Sequence, residues 1–269
     1  MSKIPNAFNH GKAFIGFVTG GDPSIEETES YILEMIRAGT DLVEIGIPFS
    51  DPAAEGPVIQ AANVRALAAG ATVHKLFGMV ERLRKKTPVP MVFLTYLNPV
   101  FHYGFAAGPA GRSDKEIYGV FFRRCGEAGI DGVIIPDLPF EEQEEVREAA
   151  SPCGVDLISL IAPSSEDRIR RIARTASGFL YLVSSLGVTG MRSEIKTDLA
   201  SITASVKACT DLPAAVGFGI HTPAQAAEIA KTADGVIVGS AIVKIIAEDP
   251  KRGAAGVYRY CKEMKDAIR

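Results

Sequence analysis

Residues 41–47 read DLVEIGI. A run this short, rich in branched apolar side chains and followed at once by Pro48, predicts a β-strand. Alternate strand residues share a face, so Val43, Ile45 and Ile47 fall on one side and Leu42, Glu44 and Gly46 on the other. The wholly apolar side suits packing beneath helices. The other side then faces the inside of the sheet, and it carries an acid. Seven more runs of this kind are spaced along the chain: FIGFVT (14–19), PMVFLTY (90–96), GVIIPD (132–137), VDLISLI (155–161), GFLYLVSS (178–185), PAAVGFG (213–219) and GVIVGS (235–240). Nearly continuous apolar runs suit strands covered on both faces, as in parallel sheets.

Helical patterns fill the gaps. Ile32, Met35, Ile36 and Gly39 follow i, i+3, i+4, i+7 spacing behind Ser24-x-x-Glu27, a capping-box signature. Thr222-Pro223-Ala224-Gln225 repeats that logic, with proline at the first helical position. EEQEEVREAA (141–150) and SSEDRIRRIART (164–175) have the polarity of surface helices. Eight strands, each followed by a helical stretch, predict a single (β/α)8 barrel domain over residues 1–269 with parallel strands and extra short helices. The competing architecture is an open doubly wound sheet. No interdomain linker interrupts the pattern. The one loop-like insertion is AAGPAGRSD (106–114), after the third strand.

Composition narrows the function. The 269 residues are 47% hydrophobic and 23% charged, enough apolar material for a sizeable core. A net charge of −3 provides no global field for nucleic acid or anionic lipid, so any anion must be caught locally. No apolar run approaches the roughly 18 residues of a spanning helix, and MSKIPNAFNHGK at the N-terminus lacks a signal-peptide core. Four scattered cysteines (Cys125, Cys153, Cys209, Cys261) form no CxxC pair, and four histidines (His10, His74, His102, His221) form no HxxxH or HExxH spacing. The expectation is a cytoplasmic protein without disulfides, metal or membrane contact.

In a barrel the chemistry belongs where strands end and the following loops begin. Glu44 points inward near that end. Burial disfavours a carboxylate's charge and raises its pKa, which suits general acid–base work. The alternative is an internal glutamate paired with a lysine or arginine, but the neighbouring strand windows hold no basic residue. Gly187-Val-Thr-Gly190, Gly217-Phe-Gly219 and Gly239-Ser240 mark the ends of strands 6, 7 and 8. Glycine lets backbone N–H groups approach an oxyanion, and loops after strands 7 and 8 are the usual phosphate site of barrels. Turns need glycine anyway, so the signal lies in three successive loops carrying it. No P-loop or dinucleotide fingerprint follows a strand. Tyr96 and Tyr181 are either core packing or site residues, and Phe17, Leu94 and Phe218 are candidates for the apolar wall of the same cavity. A carboxylate, a phosphate cradle and an apolar wall want a flat apolar substrate with a phosphorylated tail.

EIGIPFSDPAAEGPVIQ, with FVTGGDP before it and PDLP, SSLGVTGMR, GFGI and GSAIV after it, resembles the tryptophan synthase α subunit family over nearly the whole chain and in the right order. PFSDP is very specific; GFGI and GS occur in other phosphate-binding barrels. The resemblance implies a (β/α)8 barrel that cleaves indole-3-glycerol phosphate to indole and glyceraldehyde 3-phosphate without a cofactor. It implies that Glu44 shuttles protons and that Tyr181 is an active-site tyrosine. Gly190, Gly219, Gly239 and Ser240 would bind the phosphate; Phe17, Leu94, Tyr96 and Phe218 would lie at the indole pocket. Residues 50–58 and about 185–196 match mobile loops linked on closure by Thr189. Asp51, Asp137 and Pro139 resemble positions near a tryptophan synthase β subunit, the expected partner in an α2β2 assembly. One departure stands out. The family's second catalytic acid is usually an aspartate in a DPxADGP context; here the segment is DPAAEGP and the acid is Glu55, one methylene longer. A misplacement of about an ångström can cost on the order of 10²-fold in rate. A stand-alone lyase releasing free indole, and an activating subunit that has lost its chemistry through Glu55, are the alternatives.

Overall fold

The eight apolar runs become eight parallel strands: β1 Ala13–Thr19, β2 Leu42–Gly46, β3 Met91–Leu94, β4 Gly132–Ile134, β5 Asp156–Ile161, β6 Leu180–Val183, β7 Ala214–Gly217 and β8 Gly235–Val238. In this computed structural model each strand pairs with its sequence neighbours, and β8 pairs with β1 to close the barrel, so the open doubly wound sheet is excluded. The structure describes residues 2–108, 111–183, 199–217, 219–248 and 253–269. The described helices are α1 Ile25–Ala38, α2 Pro57–Ala68, α3 Val73–Arg84, α4 Leu97–Ala106, α5 Asp114–Ala128, α6 Gln143–Ala150, α7 Glu166–Thr175, α8 Leu199–Lys207, α9 Pro223–Ala230, α10 Ser240–Glu248 and α11 Gly253–Ala267, with 3-10 turns at Ile4–Phe8, Phe140–Glu142 and Ser151–Cys153.

Side-chain alternation splits the core into two layers, as DLVEIGI predicts. Val43, Ile45 and Ile47 join the outer layer with Met35, Phe77 and Phe93, between strands and helices. Leu42 points inward with Ile15, Val92, Ile134, Ile158 and Ile237. Ile4 and Ala7 of the first 3-10 turn join this inner layer and stop the N-terminal end of the barrel. A third, small cluster lies towards the opposite end, where Phe17 meets Ile59 and Ala62 of α2 and Val243 of α10. Both ends of each strand are therefore committed: one to a hydrophobic plug, the other to the loops that carry chemistry.

Local expectations are adjusted at several ends. The third strand stops at Leu94, and Tyr96 is the N-cap of α4. The fourth stops at Ile134, two residues ahead of Pro136, which has no N–H to give a ladder. Thr222 and Gln225 form the full capping box. Ser24 accepts from the Glu27 N–H at 3.1 Å, but the Glu27 carboxylate takes the Ser24 hydroxyl. The 106–114 segment does not leave β3 directly: Ala106 ends α4 and Asp114 starts α5. Within it the Arg112 guanidinium donates to the carbonyls of Gly104 and Phe105 (2.9 and 3.2 Å), satisfying acceptors at the α4 C-terminus. The four cysteines are free, Cys125 and Cys261 buried and the other two half-buried. Among the described residues no helix is long and apolar enough to cross a membrane, and no group of three or more His, Cys, Asp or Glu side chains could hold a metal.

Candidate active site

Glu44 lies in β2, in register with Phe17 of β1 and Val92 of β3, and is 1% exposed. Its Oε2 meets no hydrogen-bond donor among the described residues. Burial, and then repulsion from Glu55, push its carboxyl from an ordinary 4.5 up to about 8. The acid is stable there in its neutral form, which needs no counter-ion.

Glu55 reaches the same place from a different mount. It ends the loop after β2, immediately before Gly56 and Pro57 start α2. Its N–H donates to the Pro52 carbonyl at 3.3 Å and its carbonyl accepts the Gln60 amide at 2.7 Å. Its buried carboxylate accepts from the Asn63 side-chain amide at 2.5 Å. Burial pushes this carboxyl up to about 7, with the Asn63 donation acting against the rise. The charge of Glu55 thus acts on Glu44, and among the described residues no cation shifts either acid.

Two phenols flank the pair. Tyr181 lies on β6 between Leu160 and Ala215, and burial together with the charge of Glu44 pushes its pKa well up. A Cβ at position 217 on β7 would collide with the Tyr181 hydroxyl, so Gly217 is the space into which this ring fits. The Tyr96 hydroxyl accepts from the Ala54 N–H at 3.1 Å, beside Glu55, and its ring tilts against Phe49 with centroids 5.4 Å apart. Burial and Glu55 raise the Tyr96 phenol as well. Both tyrosines stay protonated at neutral pH and offer hydrogen bonds, not bases. Tyr96 is held from outside: Asp137, beyond β4, accepts from the Leu97 N–H at 3.0 Å and so caps α4 just behind Tyr96.

Phe17 and Leu94 line the mouth where the inner layer meets α2 and α10. Gly239 and the buried Ser240 join β8 to α10, and Gly219 follows β7 with a left-handed φ of +88°. The His221 Nδ1 lies 2.9 Å from the Gly219 carbonyl oxygen. A helix start beside a glycine turn presents N–H groups to an anion. Gly190, Thr189, Phe218 and the 185–196 loop lie outside the described residues. Asp51 stands apart from the carboxyl pair: it is exposed, and its carboxylate takes the Ser50 hydroxyl at 2.5 Å.

Sequence reasoning missed Asn63 and the ion pair of Arg65 with Asp22. The signal for the first was present. Ile59, Ala62, Asn63 and Ala66 form the buried face of α2, and Asn63 is its one polar member. A polar residue on a buried stripe asks for a partner.

Known proteins match this chain over nearly its whole length. The family model for the tryptophan synthase alpha chain matches residues 6–269. The tryptophan synthase alpha chain of Lactiplantibacillus plantarum is 47% identical over 270 residues, covering 100% of this chain and 97% of that one. The crystal structure of tryptophan synthase subunit alpha from Legionella pneumophila superposes with a TM-score of 0.86 at 36% identity, covering 100% of this chain and 98% of that one. The tryptophan synthase complex from Pyrococcus furiosus gives a TM-score of 0.83 at 30% identity, covering 95% of this chain and 99% of its matched chain. Matched by this family model and by these relatives over nearly its whole length, the chain belongs to the tryptophan synthase alpha chain family, the carbon–carbon lyases of tryptophan biosynthesis that cleave indole-3-glycerol phosphate.

Proposed function

We propose that Glu44 and Glu55 divide the proton chemistry of indole-3-glycerol phosphate cleavage, Glu44 as the acid and then the base, Glu55 as the anion that stabilises the ring. Indole is a poor carbon leaving group until C3 is protonated. Neutral Glu44 delivers that proton, and the ring becomes an iminium-like cation. The Glu55 carboxylate, near the ring N–H, stabilises the growing charge. Glu44, now ionised, takes the proton of the hydroxyl on the carbon next to the ring as the C–C bond breaks. The bond electrons neutralise the ring, the carbon becomes the aldehyde of glyceraldehyde 3-phosphate, and Glu44 is neutral again. The observation that carries this reading is the buried pair of carboxyls raised to about 8 and about 7 at one barrel mouth. Those values put one proton on the pair near neutrality.

Tyr181 packs beside Glu44 and orients it. Phe17, Leu94, Tyr96 and Phe218 form the slot for the indole ring, and Gly190, Gly219, Gly239 and Ser240 receive the phosphate, helped by the α10 start. Asp51 and Thr189 serve loop closure or partner contact. The partner is a tryptophan synthase β subunit, with α2β2 as the expected assembly: the Pyrococcus furiosus relative is a tryptophan synthase complex. Direct transfer keeps a small, membrane-permeant intermediate from escaping. Four free cysteines support a reducing, cytoplasmic setting.

The test is a steady-state assay of indole formation from indole-3-glycerol phosphate, with and without β subunit. Slow cleavage alone and faster cleavage with β are expected. No indole under either condition refutes the catalytic reading; full turnover in the absence of β, together with a failure to co-elute with it, refutes the partnership.

A further inference from the structure

The two carboxyls at the mouth are chemically alike, yet the proposed reaction needs one neutral and the other ionised. Burial raises both, more at the deeper Glu44, and repulsion from Glu55 adds to the rise there. Hydrogen bonding sharpens this asymmetry. Glu55 Oε2 accepts the Asn63 amide, whereas Glu44 Oε2 has no donor among the described residues. Asn63 is 3% exposed and eight residues beyond Glu55, on the buried face of α2. That helix is itself fixed. Pro57 starts it, and the Arg65 guanidinium grips the buried Asp22 carboxylate after β1 through two bonds of 2.8 and 2.7 Å. The acid thus rides the loop, and its donor rides a helix pinned to the barrel.

We propose that Asn63 is the positioning residue that decides which of the two buried acids is the anion: by donating to Glu55 it keeps that carboxylate charged and leaves the proton on Glu44. A donor stabilises a carboxylate more than its protonated form. The inference rests on the division of labour proposed above. Among the described residues, the titratable groups facing the pair are Tyr96 at the start of α4, near Glu55, and Tyr181 of β6, near Glu44; both are phenols held above their ordinary range. Asp137 acts on Tyr96 from farther out. Among the described residues no cation shifts either acid, and the Asn63 amide favours the charged form of Glu55. An aspartate on this loop would end about an ångström short of the Asn63 amide, and a glutamine at 63 would restore the reach.

The test measures kcat against pH in the presence of β subunit, alongside a carbon-13 NMR titration of the glutamate carboxyls, for Asn63→Ala and for the volume-matched Asn63→Leu. The acid limb of kcat should move up by about one pH unit, and at pH 7 the ionised fraction of Glu55 and the rate should fall about fivefold. KM should change little. Glu55→Asp alone should show the same upward shift, and Glu55→Asp with Asn63→Gln should reverse most of it. An unshifted limb and unshifted Glu55 titration in a folded Asn63 variant, with Glu44→Gln and Glu55→Gln inactive, overturns the role of Asn63 alone. Activity retained by Glu44→Gln or Glu55→Gln overturns the division of labour itself, and the inference with it.

Discussion

Glu44 gives up stability in return for chemistry, and the sign of that exchange is measurable. Its carboxyl titrates near 4.5 when exposed and at about 8 in the folded barrel. Between those values the folded state holds a proton that the unfolded state has lost, so stability is greatest below pH 4.5 and declines as pH rises through 8. Glu44→Gln removes the titration. The variant should match the parent near pH 5 and exceed it at pH 8 by ~3 kcal/mol, taking about 1.4 kcal/mol per pKa unit as the scale. Urea unfolding at the two pH values checks this, and equal stability at both would mean Glu44 is not held neutral. For activity, the pair predicts a bell: kcat rising near pH 7 as Glu55 ionises and falling near 8 as Glu44 loses its proton. A profile flat from 6 to 9 contradicts it. Glu44 was legible from sequence because a period of two is a local property, and DLVEIGI shows it within seven residues. The Asn63 contact was not, because it depends on how a loop folds back on its helix.

Three links between elements hold the site, and each joins segments that are distant in the chain. Asp137 caps α4 from 40 residues away, Arg65 pins α2 to Asp22 from 43 residues away, and Tyr96 holds the Ala54 N–H from 42 residues away. None leaves a periodicity for the sequence to show, which is why the strands and most helices were legible and the supports of the loop after β2 were not. The Arg65 pair has a direct consequence. Asp22 is 2% exposed, so removing its partner strands a buried charge. The guanidinium is itself partly exposed, which reduces the cost. Arg65→Met should destabilise by about 1–3 kcal/mol in urea unfolding. Because α2 carries Asn63, kcat should fall more than KM rises. Unchanged kcat with lowered stability would make the pair purely structural. The insertion at 106–114, expected after the third strand, belongs to the α4–α5 junction, since a helix nucleates straight after Tyr96.

At the scale of the molecule, the barrel separates its tasks by end. The N-terminal end is stopped by Ile4 and Ala7, and the other end gathers the acid pair, the mouth cluster and the glycine turns. Eight apolar runs made that architecture legible, because a parallel strand buried on both faces declares itself by composition alone. The proposed partnership with a β subunit has an expected outcome: co-elution with β and a higher rate of indole formation in its presence. The most direct measurement is single-turnover indole release from indole-3-glycerol phosphate by the parent and by Glu44→Gln, each with β subunit at saturation. The variant should bind substrate but release indole at least ~10²-fold more slowly, the least that loss of a general acid–base group costs. Release by Glu44→Gln within a few-fold of the parent would contradict it.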